Sequence, residues 1–172
     1  RIYGLDGKLH DGYGATAVID LPASSRTDVF TLDFSNGPAG VHFIELELTA
    51  GAGNKLSDNF YWRNGERELD YKAINMLPEA GVRVTVTSLG DGRARLNLKN
   101  ENNSVSFANR VRLVDSNTGE RILPVIMSDN YITLMPGAER DIEVDYRDFA
   151  GRHIDVLVKQ YGYEERKVGE IV

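Results

Sequence analysis

Hydrophobic and polar residues alternate with a period of two along most of this chain. Ile44, Leu46 and Leu48 stand against Glu45 and Glu47, and Val84 and Val86 against Thr85 and Thr87. Leu96 and Leu98 are set off by Asn97 and Lys99, Val111 and Leu113 by Arg112, and Ile142, Val144 and Tyr146 by Glu143 and Asp145. Ile154, Val156 and Val158 continue the pattern with Asp155 and Leu157. Such alternation predicts strands with one buried face. Within Val41–Thr49 the phase changes after Phe43, which predicts a bulge there. Turn chemistry separates the runs at Asp6-Gly7, Asn36-Gly37, Asn64-Gly65, Asp91-Gly92, Asn117-Thr118-Gly119 and Pro136-Gly137. Short strands punctuated every 8–12 residues or so are the pattern of an all-β sandwich or barrel.

One segment departs from it. Leu69, Ala73, Met76 and Leu77 fall at i, i+4, i+7 and i+8 within Glu66–Leu77, and Pro78 supplies a stop. A short helical or irregular linker is predicted, dividing the chain into 1–77 and 82–172. The second part holds seven expected strands, at 82–88, 93–100, 107–115, 121–126, 130–135, 140–146 and 153–160, with an eighth at 166–171. That suffices for a complete immunoglobulin-like sandwich. The first part offers strands at 15–21, 27–34, 41–49 and 56–63, with Arg1–Leu5 as the tail of another. The expectation is therefore two consecutive immunoglobulin-like β-sandwiches, the first incomplete at its N-terminus. So short a sandwich leaves a sheet edge uncovered, so its missing strands are expected before Arg1, with a neighbouring chain as the other source. Ser57-Asp58-Asn59-Phe60 recurs as Ser128-Asp129-Asn130-Tyr131, a weak match that favours two related halves.

Composition narrows the function. At 172 residues the chain is too short for a (β/α)₈ barrel, which needs about 250. Hydrophobic residues make up 41% and charged residues 27%, which argues against wholesale disorder. A net charge of −6 argues against nucleic acid as a partner. Cysteine is absent, no apolar run approaches a membrane span, and no signal peptide opens the chain. The start at Arg1 rather than Met suits an excised piece of a larger protein.

Catalytic chemistry is not legible. No Ser stands in a G-x-S-x-G setting, and His10, His42 and His153 are scattered without triad or zinc spacing. Asp115-Ser116-Asn117-Thr118-Gly119-Glu120 begins like a calcium loop. Its Gly comes one position early, however, and Ile126 occupies the twelfth position, so a hairpin turn is the better reading. With 26 acidic residues, carboxylate proximity alone says nothing about glycoside hydrolysis. No metal and no cofactor are expected. Tyr61 and Trp62 are the aromatic candidates for sugar stacking, against a structural role in a core or interdomain contact. In Ser128-Asp129-Asn130-Tyr131, Asp129 and Asn130 are expected either to tie down a turn or to meet a ligand.

Pro124-Val125-Ile126-Met127-Ser128-Asp129-Asn130-Tyr131 followed by Leu134-Met135-Pro136-Gly137-Ala138-Glu139 resembles the C-terminal immunoglobulin-like domain of glycoside hydrolase family 2 enzymes of the exo-β-glucosaminidase and β-mannosidase type. Tyr3-Gly4-Leu5-Asp6-Gly7-Lys8, Gly40-Val41-His42-Phe43 and Leu56–Trp62 resemble the preceding immunoglobulin-like domain, in collinear order. The family often places an aromatic before Ser-Asp-Asn-Tyr, where this chain has Met127. The resemblance implies a non-catalytic tail whose partner is an upstream (β/α)₈ barrel of the same parent chain, where the catalytic carboxylates reside. It implies that β-linked oligosaccharide is met only through the parent enzyme, in a bacterial periplasm or outside the cell, with no membrane partner. Ser128, Asp129, Asn130 and Tyr131 are the residues expected to face the barrel or its pocket. The rival expectation is an independent carbohydrate-binding or adhesive module on a cell surface.

Overall fold

The computed structural model describes residues 1–35, 37–65 and 70–172. Its strands are β1 (Ile2–Gly4), β2 (Val41–Thr49), β3 (Lys55–Asn64), β4 (Arg83–Gly90), β5 (Arg93–Lys99), β6 (Ser106–Asp115), β7 (Ile126–Met127), β8 (Ile132–Leu134), β9 (Glu139–Asp145), β10 (Ile154–Lys159) and β11 (Arg166–Ile171). The chain is all-β and divides into two compact units, Arg1–Met76 and Leu77–Val172.

The second unit is an immunoglobulin-like sandwich. One sheet runs β4-β5-β9-β7 and the other β11-β10-β6-β8. The period-two pattern explains the layers, because alternate side chains of a strand go to opposite faces. Ala94, Leu96 and Leu98 on β5 and Ile142 and Val144 on β9 are buried in a core shared with Val111, Leu113, Ile154, Val156 and Val158 from the other sheet. Outward-facing residues pair across strands at the positions the register sets opposite each other: Arg95 with Glu143 at 3.1 Å, and Asn97 with Asp141 at 2.8 Å. The chain before β4 is strapped down by Gln160. Its Oε1 accepts the Ala80 N–H at 2.7 Å, its Nε2 donates to the Pro78 carbonyl at 3.0 Å, and the Tyr163 hydroxyl donates to the Leu77 carbonyl at 2.7 Å.

The first unit holds one sheet, β1-β2-β3. No bulge follows Phe43: β2 and β3 stay in register from Val41↔Asn64 to Leu48↔Ser57, and the shift falls between Leu48 and Thr49. The change of hydrophobic phase has another cause. At this end both faces are covered, so Val41 and Phe43 on one face and His42 and Ile44 on the other are all buried. At the far end Leu46, Leu48 and Leu56 are exposed.

Three expected strands are corrected. Residues 15–21 and 27–34 form no strand, and Val18, Val29 and Phe30 are exposed. Alternation without a sheet edge to pair with leaves main-chain groups to water. The strand expected at 121–126 reduces to a single bridge, Val114↔Arg121, followed by β7; Pro124 has no N–H for a ladder. Of the expected helical segment, residues 66–69 lie outside the described residues, as does Asn36 of the Asn36-Gly37 turn. The remainder is a 3₁₀ turn at Lys72–Met76 in which Ile74 is buried and Met76, expected on the apolar face, is exposed.

Candidate functional site

Ser128-Asp129-Asn130-Tyr131 lies where the chain leaves the edge strand of one sheet, β7, for the edge strand of the other, β8. Each of the first three residues is spent on structure. The Ser128 main-chain N–H donates to the Glu143 carbonyl at 2.9 Å, and its Oγ accepts the Glu143 N–H at 2.9 Å, fixing the loop to β9. Asp129 Oδ1 accepts the Asn130 N–H at 2.8 Å, and Oδ2 receives Arg140 Nε at 3.1 Å and Nη2 at 2.6 Å. Asn130 reaches the opposite sheet. Its Oδ1 accepts from Val111 N–H and Tyr131 N–H, both at 2.8 Å, while Nδ2 donates to the Val111 carbonyl at 3.0 Å. The loop is thus a staple between β9 and β6, and of the two roles expected for Asp129 and Asn130 it supplies the turn-tying one.

Tyr131 is different. Its backbone takes φ 56°, a left-handed conformation that costs a non-glycine residue about 1–2 kcal/mol, and its side chain is 65% exposed. The staple holds the tyrosine in this conformation and directs it to the surface. Met127, at the position where the resembled family often has an aromatic, sits 3.4 Å from Asn130 Nδ2 through its sulfur and packs against the core. The earlier copy of the motif is not equivalent: Ser57-Asp58-Asn59-Phe60 lies within β3, where Asp58 pairs with Lys55 at 2.8 Å.

Tyr61 and Trp62 do not form one platform. Trp62 stands opposite Phe43 and Tyr61 opposite Ile44, so they project from opposite faces of the sheet, each about half exposed. Of the three histidines, His10 and His42 lie in the first unit and His153 in the second. His42 is buried, stacked on Phe34 with centroids 5.6 Å apart, and Nδ1 lies 3.1 Å from the Gly40 carbonyl. Burial holds its pKa below the ordinary imidazole value.

Two asparagines that carry no sequence signal prove as important as Asn130. Asn100 is fully buried and donates to the carbonyls of Ser104 at 2.8 Å and Leu134 at 2.9 Å. Asn109 fills the β6 bulge and donates to the carbonyls of Ser106 at 3.1 Å and Ile132 at 3.0 Å.

Carboxylates whose pKa departs from the ordinary value move downward. Hydrogen bonds from Arg112 and then Arg110 hold Glu165 below the usual range, and main-chain N–H groups of Asn117 and Thr118 do the same for Asp115. The latter geometry makes Asp115–Gly119 a turn, as expected. A general acid for glycoside cleavage needs a carboxyl shifted upward, and the Asp and Glu shifts resolved among the described residues are all downward. Among the described residues no group of three or more His, Asp or Glu is placed to hold a metal ion, and no helix is long and apolar enough to cross a membrane.

Residues 59–163 match the profile of a family described as the exo-β-D-glucosaminidase Ig-fold domain. An exo-β-D-glucosaminidase of Arthroderma benhamiae is 28% identical over 145 residues, covering 74% of this chain and 16% of that protein. One from Streptomyces avermitilis is 25% identical over 193 residues, covering 97% of this chain and 21% of its own length. The chain therefore spans about a fifth or less of the curated relatives it matches. A crystal structure of an Amycolatopsis orientalis exo-chitosanase superposes with a TM-score of 0.65 at 21% identity, over 97% of this chain and 22% of that one, a likeness of fold.

Proposed function

The chain belongs to the exo-β-D-glucosaminidase Ig-fold domain family, and from that premise we propose that it is a non-catalytic accessory part of a glycoside hydrolase family 2 exo-β-glycosidase. Its partner is a (β/α)₈ barrel of the same parent protein, which carries the two catalytic carboxylates. Its work is to pack on that barrel and present the Ser128–Tyr131 loop to the barrel face or the rim of its pocket. Glucosaminides are the substrate class favoured by the relatives' names, ahead of mannosides. The working compartment is a bacterial periplasm or the extracellular space.

The observation that carries this reading is Tyr131: an exposed aromatic held at φ 56° by bonds to its neighbour, in a loop otherwise wholly committed to structure. Strain of this kind persists where the surroundings enforce it, and it clusters at contact sites. The test compares turnover of nitrophenyl β-glucosaminide by this chain and by the longer protein that includes the barrel, each as wild type and as Tyr131→Ala. No turnover by the chain is expected, with full turnover by the longer protein and altered KM or kcat in its variant. Turnover by the chain itself, or an upstream reading frame without a barrel, overturns the proposal. Saturable binding of neutral β-linked oligosaccharides to the chain alone favours instead an independent carbohydrate-binding module.

A further inference from the structure

A cleft of about 390 Å³ opens in the second unit between β4 and β11, the outermost strands of the two sheets. Its lining includes Gly81, Arg83, Glu101, Asn102, Arg166 and Lys167. The groove is open, its charged residues are exposed, and its charge is cationic in a chain of net charge −6. Most of that positive charge is already answered. Arg83 pairs with Glu101 at 3.1 Å, and Lys167 pairs with Asp155 at 3.0 Å and with Glu170. Arg166 has no carboxylate partner among the described residues; its guanidinium makes one long bond, Nη2 to the Val82 carbonyl at 3.4 Å.

Arg166 is exposed, and its guanidinium sits over Gly81. It lies flat on the main chain of Gly81, where a Cβ would fall 1.6 Å from Nη2. Asn102 holds this main chain in place, its Nδ2 donating to the Gly81 carbonyl at 2.9 Å and to Asn100 Oδ1 at 3.1 Å. A side chain with five donors, one weakly used, thus stands in a cleft over a glycine fixed by a neighbouring amide. Arginine's planar fork matches a carboxylate with two parallel hydrogen bonds.

We propose that this cleft is a carboxylate-binding site with Arg166 as its fork and Gly81 as the seat of the fork. The carboxylate comes from a sugar acid or from an acidic side chain, and the two sources share the chemistry. The site is separate from the Ser128–Tyr131 loop, on the other pair of sheet edges, and does not depend on the glycosidase reading.

The experiment titrates the ¹⁵N-labelled full chain with acetate, D-glucuronate and neutral D-glucuronamide at constant ionic strength. Saturable shifts of the amides around Gly81, Asn102 and Arg166 are expected with both carboxylates and not with the amide. Tighter saturation by glucuronate identifies a sugar acid; equal saturation identifies the carboxylate alone, as an acidic side chain would offer. Arg166→Gln is expected to weaken binding about tenfold or more, with Arg166→Lys intermediate, because it keeps the charge and loses the fork. Gly81→Ala, which displaces the guanidinium without removing it, is expected to weaken binding at an unchanged melting temperature. The proposal fails if neither carboxylate saturates, if glucuronamide acts alike, or if folded Arg166→Gln binds as wild type.

Discussion

The side-chain amide of Asn130 pairs with the main chain of Val111 as a neighbouring strand would, accepting the Val111 N–H at 2.8 Å and donating to its carbonyl at 3.0 Å. One side chain thereby extends the β6 ladder past the end of β8, at the crossing between sheets.

Asn130→Ala removes both bonds and leaves the Val111 N–H and carbonyl without partners in a part-buried site. An unsatisfied buried polar group costs roughly 1–3 kcal/mol, so a loss of about 2–4 kcal/mol is expected. Urea unfolding followed by far-UV circular dichroism measures it. A loss under about 0.5 kcal/mol, the usual bound for a surface substitution, shows that the pairing contributes little.

Tyr131→Gly tests the strain beside it. The tyrosine is 65% exposed, so little packing is lost, while glycine accepts φ 56° freely. The variant is expected to match or exceed the wild type in stability, by up to about 1 kcal/mol. Clear destabilisation means that the ring packs where its exposure does not suggest.

The strands of the second unit were legible because burial of one face imposes the period of two; β5 and β10 obey it at every inward position, and β9 does so at Ile142 and Val144. The staple was less so. Ser-Asp-Asn marks turn chemistry, but besides any local partner Asn100, Asn109 and Asn130 bond main chain 34, 23 and 19 residues away, and no local pattern encodes such distances. At residues 15–34 the same alternation misled, since it records a preference for strand and says nothing of whether an edge is there to pair. Tyr61 and Trp62, the aromatic candidates, are adjacent residues of β3, so the period of two already turns them to opposite faces, and the register with β2 agrees.

Leu96 and Leu98 are fully buried between the sheets of the second unit. Leu96→Ala is expected to cost about 2–5 kcal/mol from lost transfer energy and the residual cavity. The change should fall on the second unit's transition and leave the fluorescence of Trp62, the chain's one tryptophan, to report on the first unit. Equal shifts of both signals would mean that the two units unfold as one.

The same reporter isolates a pH effect in the first unit. His42 is buried, its Nε2 has no hydrogen-bond partner among the described residues, and the charge of Arg63 also disfavours the imidazolium. Its folded pKa is therefore below the ordinary imidazole value, so the unfolded chain binds the proton first. Stability from neutral His42 is fully present above about pH 6.5 and is lost as pH falls from there through the folded pKa. Glu165, held down by Arg112 and Arg110 in the second unit, follows the same sign in a lower window, beginning below the ordinary carboxylate range. Acidification from pH 7.5 to 5.5 should thus lower the Trp62 transition before Glu165 contributes. His42→Phe, which keeps a ring against Phe34 and cannot protonate, should flatten that dependence. If the variant folds and retains the wild-type slope between pH 7.5 and 5.5, another group governs it.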